Sequence, residues 1–122
     1  MSSRSPITTH VLDTARGRPA AGVPVTLSRL LDEGGGERWE QLAAAQTDAD
    51  GRIGDLLAPG SLRPGTYKIR FDTGRYFAAL GTEAWFYPWA EIVFRVDPDS
   101  ADEHYHVPLL LNPFGYSTYR GS

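Results

Sequence analysis

The chain has only three histidines, His10, His104 and His106. Imidazole is the side chain that exchanges a proton near neutral pH without large tuning, so these three are the first candidates for acid–base chemistry. His104 and His106 stand at i, i+2. In an extended strand that spacing places both rings on one face and Tyr105 on the other. A histidine on a mixed strand face is more often structural than catalytic. Here all three fall in strand-like segments and none in a loop, and from the residues alone both readings stay open. A His-X-His pair joined by a third imidazole would also resemble a three-histidine zinc site with an open position. The pair is only a partial ligand set, however, and no nearby carboxylate is clearly placed to support it. The expectation is therefore no metal and no other cofactor. Arg52 follows Asp48-Ala49-Asp50-Gly51. It is either a solvated turn charge or a guanidinium aimed inward, able to hold an oxyanion or carbonyl through two parallel hydrogen bonds. Arg120 has the same option, or pairs with an acidic neighbour. Ser117 and Ser122 lack the strained Gly-x-Ser-x-Gly elbow that would make a nucleophile.

These side chains need strands to hold them. Residues 7–13 alternate, with Ile7, Thr9 and Val11 on one side and Thr8, His10 and Leu12 on the other. A second strand covers 23–31, with Val23, Val25 and Leu27 on its core face. Residues 32–37, with three consecutive glycines between charges, read as a hairpin tip, and 38–47 pair back as the third strand. Residues 48–52 form a turn whose Gly51 supplies a positive φ. Residues 54–64 are loop, 66–72 a strand, and 76–81 the only plausible helix, capped at Asp72, Thr73 or Gly74 and closed by Gly81. Residues 90–96 alternate as a strand. The last two strands are 104–111 and 115–119, joined by the turn Asn112-Pro113-Phe114-Gly115. Seven or eight short strands with turn signals about every ten residues predict an all-β sandwich with one short helix. The aromatic set Trp39, Trp85, Phe86, Tyr87 and Trp89 reads as core and interface packing.

Composition narrows the function classes. At 122 residues the chain has the length of one domain, with residues 1–6 polar and loose and 7–122 folded. Twelve basic against fifteen acidic residues, a net charge of −3, give no electrostatic reason to expect a nucleic-acid partner. No apolar run approaches the length of a membrane span, so no membrane partner is expected. There is no cysteine, hence no disulfide and no thiolate nucleophile. The N-terminal residues carry no apolar signal segment, which makes the cytoplasm the expected compartment.

Four motifs carry a resemblance. HYHVPLL at 104–110 with YRGS at 119–122 resembles the signature of the 5-hydroxyisourate hydrolase family, transthyretin-related enzymes of purine breakdown. TTHVLDT at 8–14 with Gly17 and PAAGV at 19–23 is similar to the opening of the same family, and TDADGR at 47–52 and RPGTY at 63–67 to its middle. The resemblance implies a prealbumin-like topology of two four-stranded sheets. It implies a homotetramer, a dimer of dimers, with the active site between subunits. Its small-molecule substrate would be 5-hydroxyisourate, opened by water to 2-oxo-4-hydroxy-4-carboxy-5-ureidoimidazoline without a cofactor. Carried over by motif, His10, Arg52 and His106 form the catalytic set. His10, Arg52, His104, Tyr119, Arg120 and Ser122 shape the substrate pocket. Asn112 departs from the serine frequent in the family, at a turn position remote from chemistry. The rival expectation is a carrier of the same fold that binds a hormone-like ligand in its channel and performs no reaction; such a carrier has no need of these histidines, Arg52 or YRGS.

Overall fold

The computed structural model describes residues 5–33 and 36–122. Residues 1–4 and the two glycines 34–35 at the expected hairpin tip lie outside the described residues. Order is already present at Ser5, which is buried. Its Oγ donates to Ile7 O at 2.6 Å and accepts from Leu57 N at 3.0 Å.

Among the described residues nine strands form two sheets. The first contains β1 (Ile7–Asp13), β2 (Arg18–Pro19), β5 (Arg52–Ile53), β8 (Tyr105–Asn112) and β9 (Gly115–Thr118). The second contains β3 (Pro24–Glu33), β4 (Gly36–Gln46), β6 (Gly65–Phe71) and β7 (Ala90–Val96). The spatial orders are β2-β1-β8-β9, with β5 also on β1, and β4-β3-β6-β7. The period-2 alternation anticipated in β1, β3 and β7 is observed, and β6 shows it as well. Ile7, Val11, Val25, Leu27, Tyr67, Ile69, Phe71, Val107 and Leu109 point between the sheets and are buried. This shared core is what fixes register, because a slip of one residue would turn each of these faces to solvent.

One short helix, α1 (Thr73–Leu80), connects β6 to β7. It starts three residues before the segment expected, because Asp72 is its first flanking residue and Thr73 and Gly74 are already helical. Gly81 ends it in the left-handed conformation at φ 75°, as anticipated. Tyr76 on its buried face donates its hydroxyl to Asp13 Oδ2 at 2.7 Å, and Asp13 Oδ1 accepts from Arg16 N at 3.0 Å. The buried carboxylate is thereby satisfied. Burial and this bond push the Tyr76 phenol up to about 12.

Two of the nine strands were expected to be loop. β2 and β5 are two residues each, too short to show periodicity. Together they cover the free edge of β1: Leu12 and Asp13 pair with β2, while Thr9 and His10 pair with β5. Gly51 makes this possible. Its φ is 76°, its carbonyl accepts from Val11 N at 2.7 Å, and a Cβ there would lie 2.4 Å from Val11 O. Gly51→Ala therefore combines left-handed strain with a clash against backbone, which cannot rotate away. The expected cost is about 2–3 kcal/mol, measurable by chemical denaturation, with weakened placement of Arg52.

The aromatic set divides. Trp85 packs against the core and stacks on Phe77, whereas Phe86, Tyr87 and Trp89 are exposed. Trp39 and Trp89 instead lie under Lys68 Nζ and the Arg70 guanidinium at 4.3 and 4.1 Å. No helix among the described residues is long and apolar enough to cross a membrane.

Candidate active site

β1 and β8 are neighbours in parallel, with Thr8 opposite His106 and His10 opposite Pro108. This pairing joins the two ends of the chain and aligns their outward faces. On the other edge of β1, His10 stands opposite Arg52 of β5. The outer face of the first sheet therefore collects Thr8, His10, Arg52 and His106 from three strands.

The turn before Arg52 is tied by one side chain. Asp48 Oδ1 accepts from both Asp50 N and Arg52 N at 2.9 Å, and the Asp48 N–H donates to Arg52 O at 3.0 Å. An aspartate that satisfies two amides two and four residues on makes a rigid seat for the guanidinium. Arg52 is itself exposed and projects from that seat. It also acts on His10, whose pKa is lowered from the ordinary value by burial first and by the Arg52 charge second. A hydrogen bond to the Asp50 backbone and the carboxylates of Asp48 and Asp50 oppose the shift.

His104 and His106 face the same side, as their spacing requires, while Tyr105 is buried on the other. Their rings lie 6.4 Å apart at 15°. Both reach one hydroxyl: Thr8 Oγ1 is 3.0 Å from His104 Nε2 and 2.8 Å from His106 Nδ1. The chain's last residues close on this pair. Gly121 N donates to His106 O at 2.8 Å, and a Cβ on Gly121 would stand 2.6 Å from His106 Cδ2. Only a glycine lets the tail lie flat against that ring.

Thr8, Thr9, Arg52, Ile53, Gly54, His104, His106 and Ser122 line one open cavity of about 230 Å³. Of the residues anticipated from sequence, Arg52, His104, His106 and Ser122 meet there. His10 flanks it on the same sheet face without lining it. Tyr119 and Arg120 lie elsewhere. With Ile92, Phe94, Arg95, Tyr105, Val107 and Thr118 they line a second groove of about 250 Å³, between β7 and β9. The Arg120 guanidinium donates to Glu103 Oε1 at 2.9 Å and to His104 O at 3.3 Å, and covers the Tyr105 ring at 4.4 Å. It thus clamps the segment carrying His104. Thr8 and Gly121 were missed by sequence reasoning. Thr8 had a readable signal, since it sits two residues before His10 on the same strand face. Among the described residues no group of three or more His, Cys, Asp or Glu side chains converges tightly enough to hold a metal ion.

A positioned imidazole and a guanidinium facing one small cavity are equipped to activate water and to stabilise negative charge on an attacked carbonyl. Known proteins share much of this sequence from end to end. The chain is 50% identical over 118 residues to 5-hydroxyisourate hydrolase of Mus musculus, covering 97% of this chain and 96% of that protein. It is 44% identical over 124 residues to 5-hydroxyisourate hydrolase 2 of Rhizobium meliloti, covering both in full. Among solved structures, 5-hydroxyisourate hydrolase of Klebsiella pneumoniae superposes with a TM-score of 0.79 at 40% identity, covering 99% of this chain and 100% of that one. Sea bream transthyretin in complex with thyroxine superposes at 0.85 and 35% identity, covering 96% and 95%. A family model described as HIUase/Transthyretin matches residues 7–121, and the chain belongs to that family.

Proposed function

We propose that this protein hydrolyses 5-hydroxyisourate at the cavity on the outer face of the first sheet. The observation that carries the proposal is the meeting of Arg52, His104, His106 and Ser122 around one cavity of about 230 Å³, with His10 beside it. That space suits a small planar heterocycle. The relatives named hydrolases match this chain over nearly its whole length, which supports the substrate class.

In the reaction proposed, His106 takes a proton from water as the water oxygen bonds to the ring carbonyl carbon. Arg52 donates to the oxygen that becomes negative. The carbon–nitrogen bond then breaks, and the proton held by imidazole passes to the departing nitrogen, giving 2-oxo-4-hydroxy-4-carboxy-5-ureidoimidazoline. His10, whose pKa burial and then the Arg52 charge lower, lies on the same face as a second proton acceptor and substrate contact. His104 and Ser122 border the substrate. Tyr119 and Arg120 act by holding the tail and the His104 segment, as the Arg120 bonds to Glu103 and His104 support.

A homotetramer, a dimer of dimers, completes the proposal. β7 and β9 are sheet edges with open ladders, and the groove between them carries exposed Tyr119 (58%), with Val93 (56%) on the same edge strand β7. Unpaired edges favour augmentation by a second copy, and a closed assembly would cover them. The open mouth of the cavity would then face a neighbouring subunit.

The test follows the ultraviolet absorbance of freshly generated 5-hydroxyisourate with the intact protein and with a variant lacking residues 119–122. Chelator is present throughout, and assembly is compared by light scattering. Fast decay with the intact chain only, at a mass of four chains, is expected. Decay at the spontaneous rate with the intact chain would overturn the hydrolase reading in favour of a ligand-binding channel.

A further inference from the structure

Thr8 presents one hydroxyl to two imidazoles, at 3.0 Å from His104 Nε2 and 2.8 Å from His106 Nδ1. A hydroxyl has one proton to give and two lone pairs to accept with. Its two ring partners therefore cannot both be acceptors, and at least one must donate an N–H to Oγ1. The bridge thus couples the tautomers of the two rings, and its polarity decides which nitrogen of His106 can work. If His104 Nε2–H donated to Thr8, and Thr8 donated to His106 Nδ1, the neutral His106 would carry its proton on Nε2. It would then have no lone pair left for water. The opposite polarity leaves Nε2 bare.

We infer that Thr8 is a positioning residue for His106, accepting its Nδ1–H and donating its own hydroxyl proton to His104 Nε2, so that His106 Nε2 stands as a lone pair. The inference rests on the reading of His106 as the base. The surroundings hold this geometry. Thr8 and His106 are register partners in the parallel β1–β8 ladder, so their backbones fix the distance between hydroxyl and ring. Gly121 lies against the Cδ2 edge of the His106 ring, which blocks the ring from swinging away from Thr8. Arg120 holds the carbonyl of His104, which anchors the second ring. An orienting partner on the far nitrogen of a catalytic imidazole is a recurrent device; here a threonine supplies it and a second histidine backs it.

Thr8→Val keeps the β-branched shape and removes the hydroxyl, while Thr8→Ser keeps the hydroxyl. The readouts are steady-state kinetics with 5-hydroxyisourate and the ring-nitrogen shifts of 15N-labelled protein by NMR. In the unaltered chain His106 is expected as the Nδ1–H tautomer. Thr8→Val is expected to shift it towards Nε2–H and to lower kcat about 10–100-fold with KM changed less than about threefold, and Thr8→Ser to restore both readouts. An Nε2–H tautomer of His106 in the unaltered chain would overturn the inference, as would a Thr8→Val variant retaining full kcat. If Thr8→Val does not fold, the tautomer in the unaltered chain and in Thr8→Ser decides. Absence of hydrolysis by the unaltered chain would instead defeat the hydrolase reading, while the NMR result would still judge the bridge.

Discussion

His106→Ala is expected to lower turnover of 5-hydroxyisourate about 10²–10⁴-fold, the range that a positioned general base supplies. The expectation follows from geometry. His106 lies in the middle of the first sheet's outer face, between β1 and the end of the chain, with one ring nitrogen fixed by Thr8. The residue lines a cavity that Arg52 and Ser122 also line. The ring is half-buried and outside the hydrophobic core, so its removal should leave the fold and its unfolding midpoint nearly unchanged. The loss should fall on kcat, because proton transfer stabilises the transition state more than the bound substrate. Stopped-flow absorbance on His106→Ala and His10→Ala side by side assigns the base. Near-normal turnover in His106→Ala with loss in His10→Ala would transfer the role to His10.

The sequence made the sandwich legible because burial writes itself as period-2 alternation. β1 shows it in Ile7, Thr9 and Val11, and β3 in Val25 and Leu27 with Val23 just before it, all buried as their spacing required. Gly51 was legible for another reason: an Asp-Gly turn needs a positive φ, and it has one. The same logic could not find β2 and β5, whose two residues each hold too little pattern to read. Their existence depends on the free edge of β1, a tertiary fact. The site divides in the same way. His104 and His106 share a face by strand geometry alone. That Arg52 would meet His10 could not be read locally, since it depends on β5 pairing with β1 across 42 positions. Tyr119 and Arg120 are neighbours of Ser122 in sequence, yet they turn to the groove between β7 and β9 because the ladder ends at Thr118. From there only Gly121 bridges back to His106.

The sandwich itself does not separate a hydrolase from a carrier, since proteins of both names superpose on it. The separation lies in what the outer face of the first sheet displays. A channel built only to bind an apolar ligand gains nothing from an imidazole pair bridged by a hydroxyl, since each polar group must be desolvated as the ligand enters. A reaction that moves a proton from water needs such groups, held at fixed distances.

Arg52→Gln is expected to lower turnover about 10²–10³-fold, the usual consequence of removing one donor from a developing oxyanion. Glutamine keeps a planar donor on a comparable stem but lacks the charge and the paired N–H fork. The backbone of residue 52 is held by Asp48 regardless of the side chain, so the turn should persist. The substitution should also be felt at His10. Burial lowers the His10 pKa most and the Arg52 charge lowers it further, while Asp48 and Asp50 oppose both. Removing the guanidinium leaves the carboxylates less opposed, so His10 should titrate at a higher pH, which NMR of its ring protons will measure. The sign carries through to stability. In the unaltered protein the folded state holds His10 neutral to lower pH than the unfolded chain does. Acid below about pH 6.5 therefore protonates the unfolded chain first and weakens the fold. In Arg52→Gln that window narrows, and the acid-induced loss of stability attributable to His10 should shrink. A variant that loses turnover with no upward movement of the His10 titration would mean that Arg52 acts on the substrate alone.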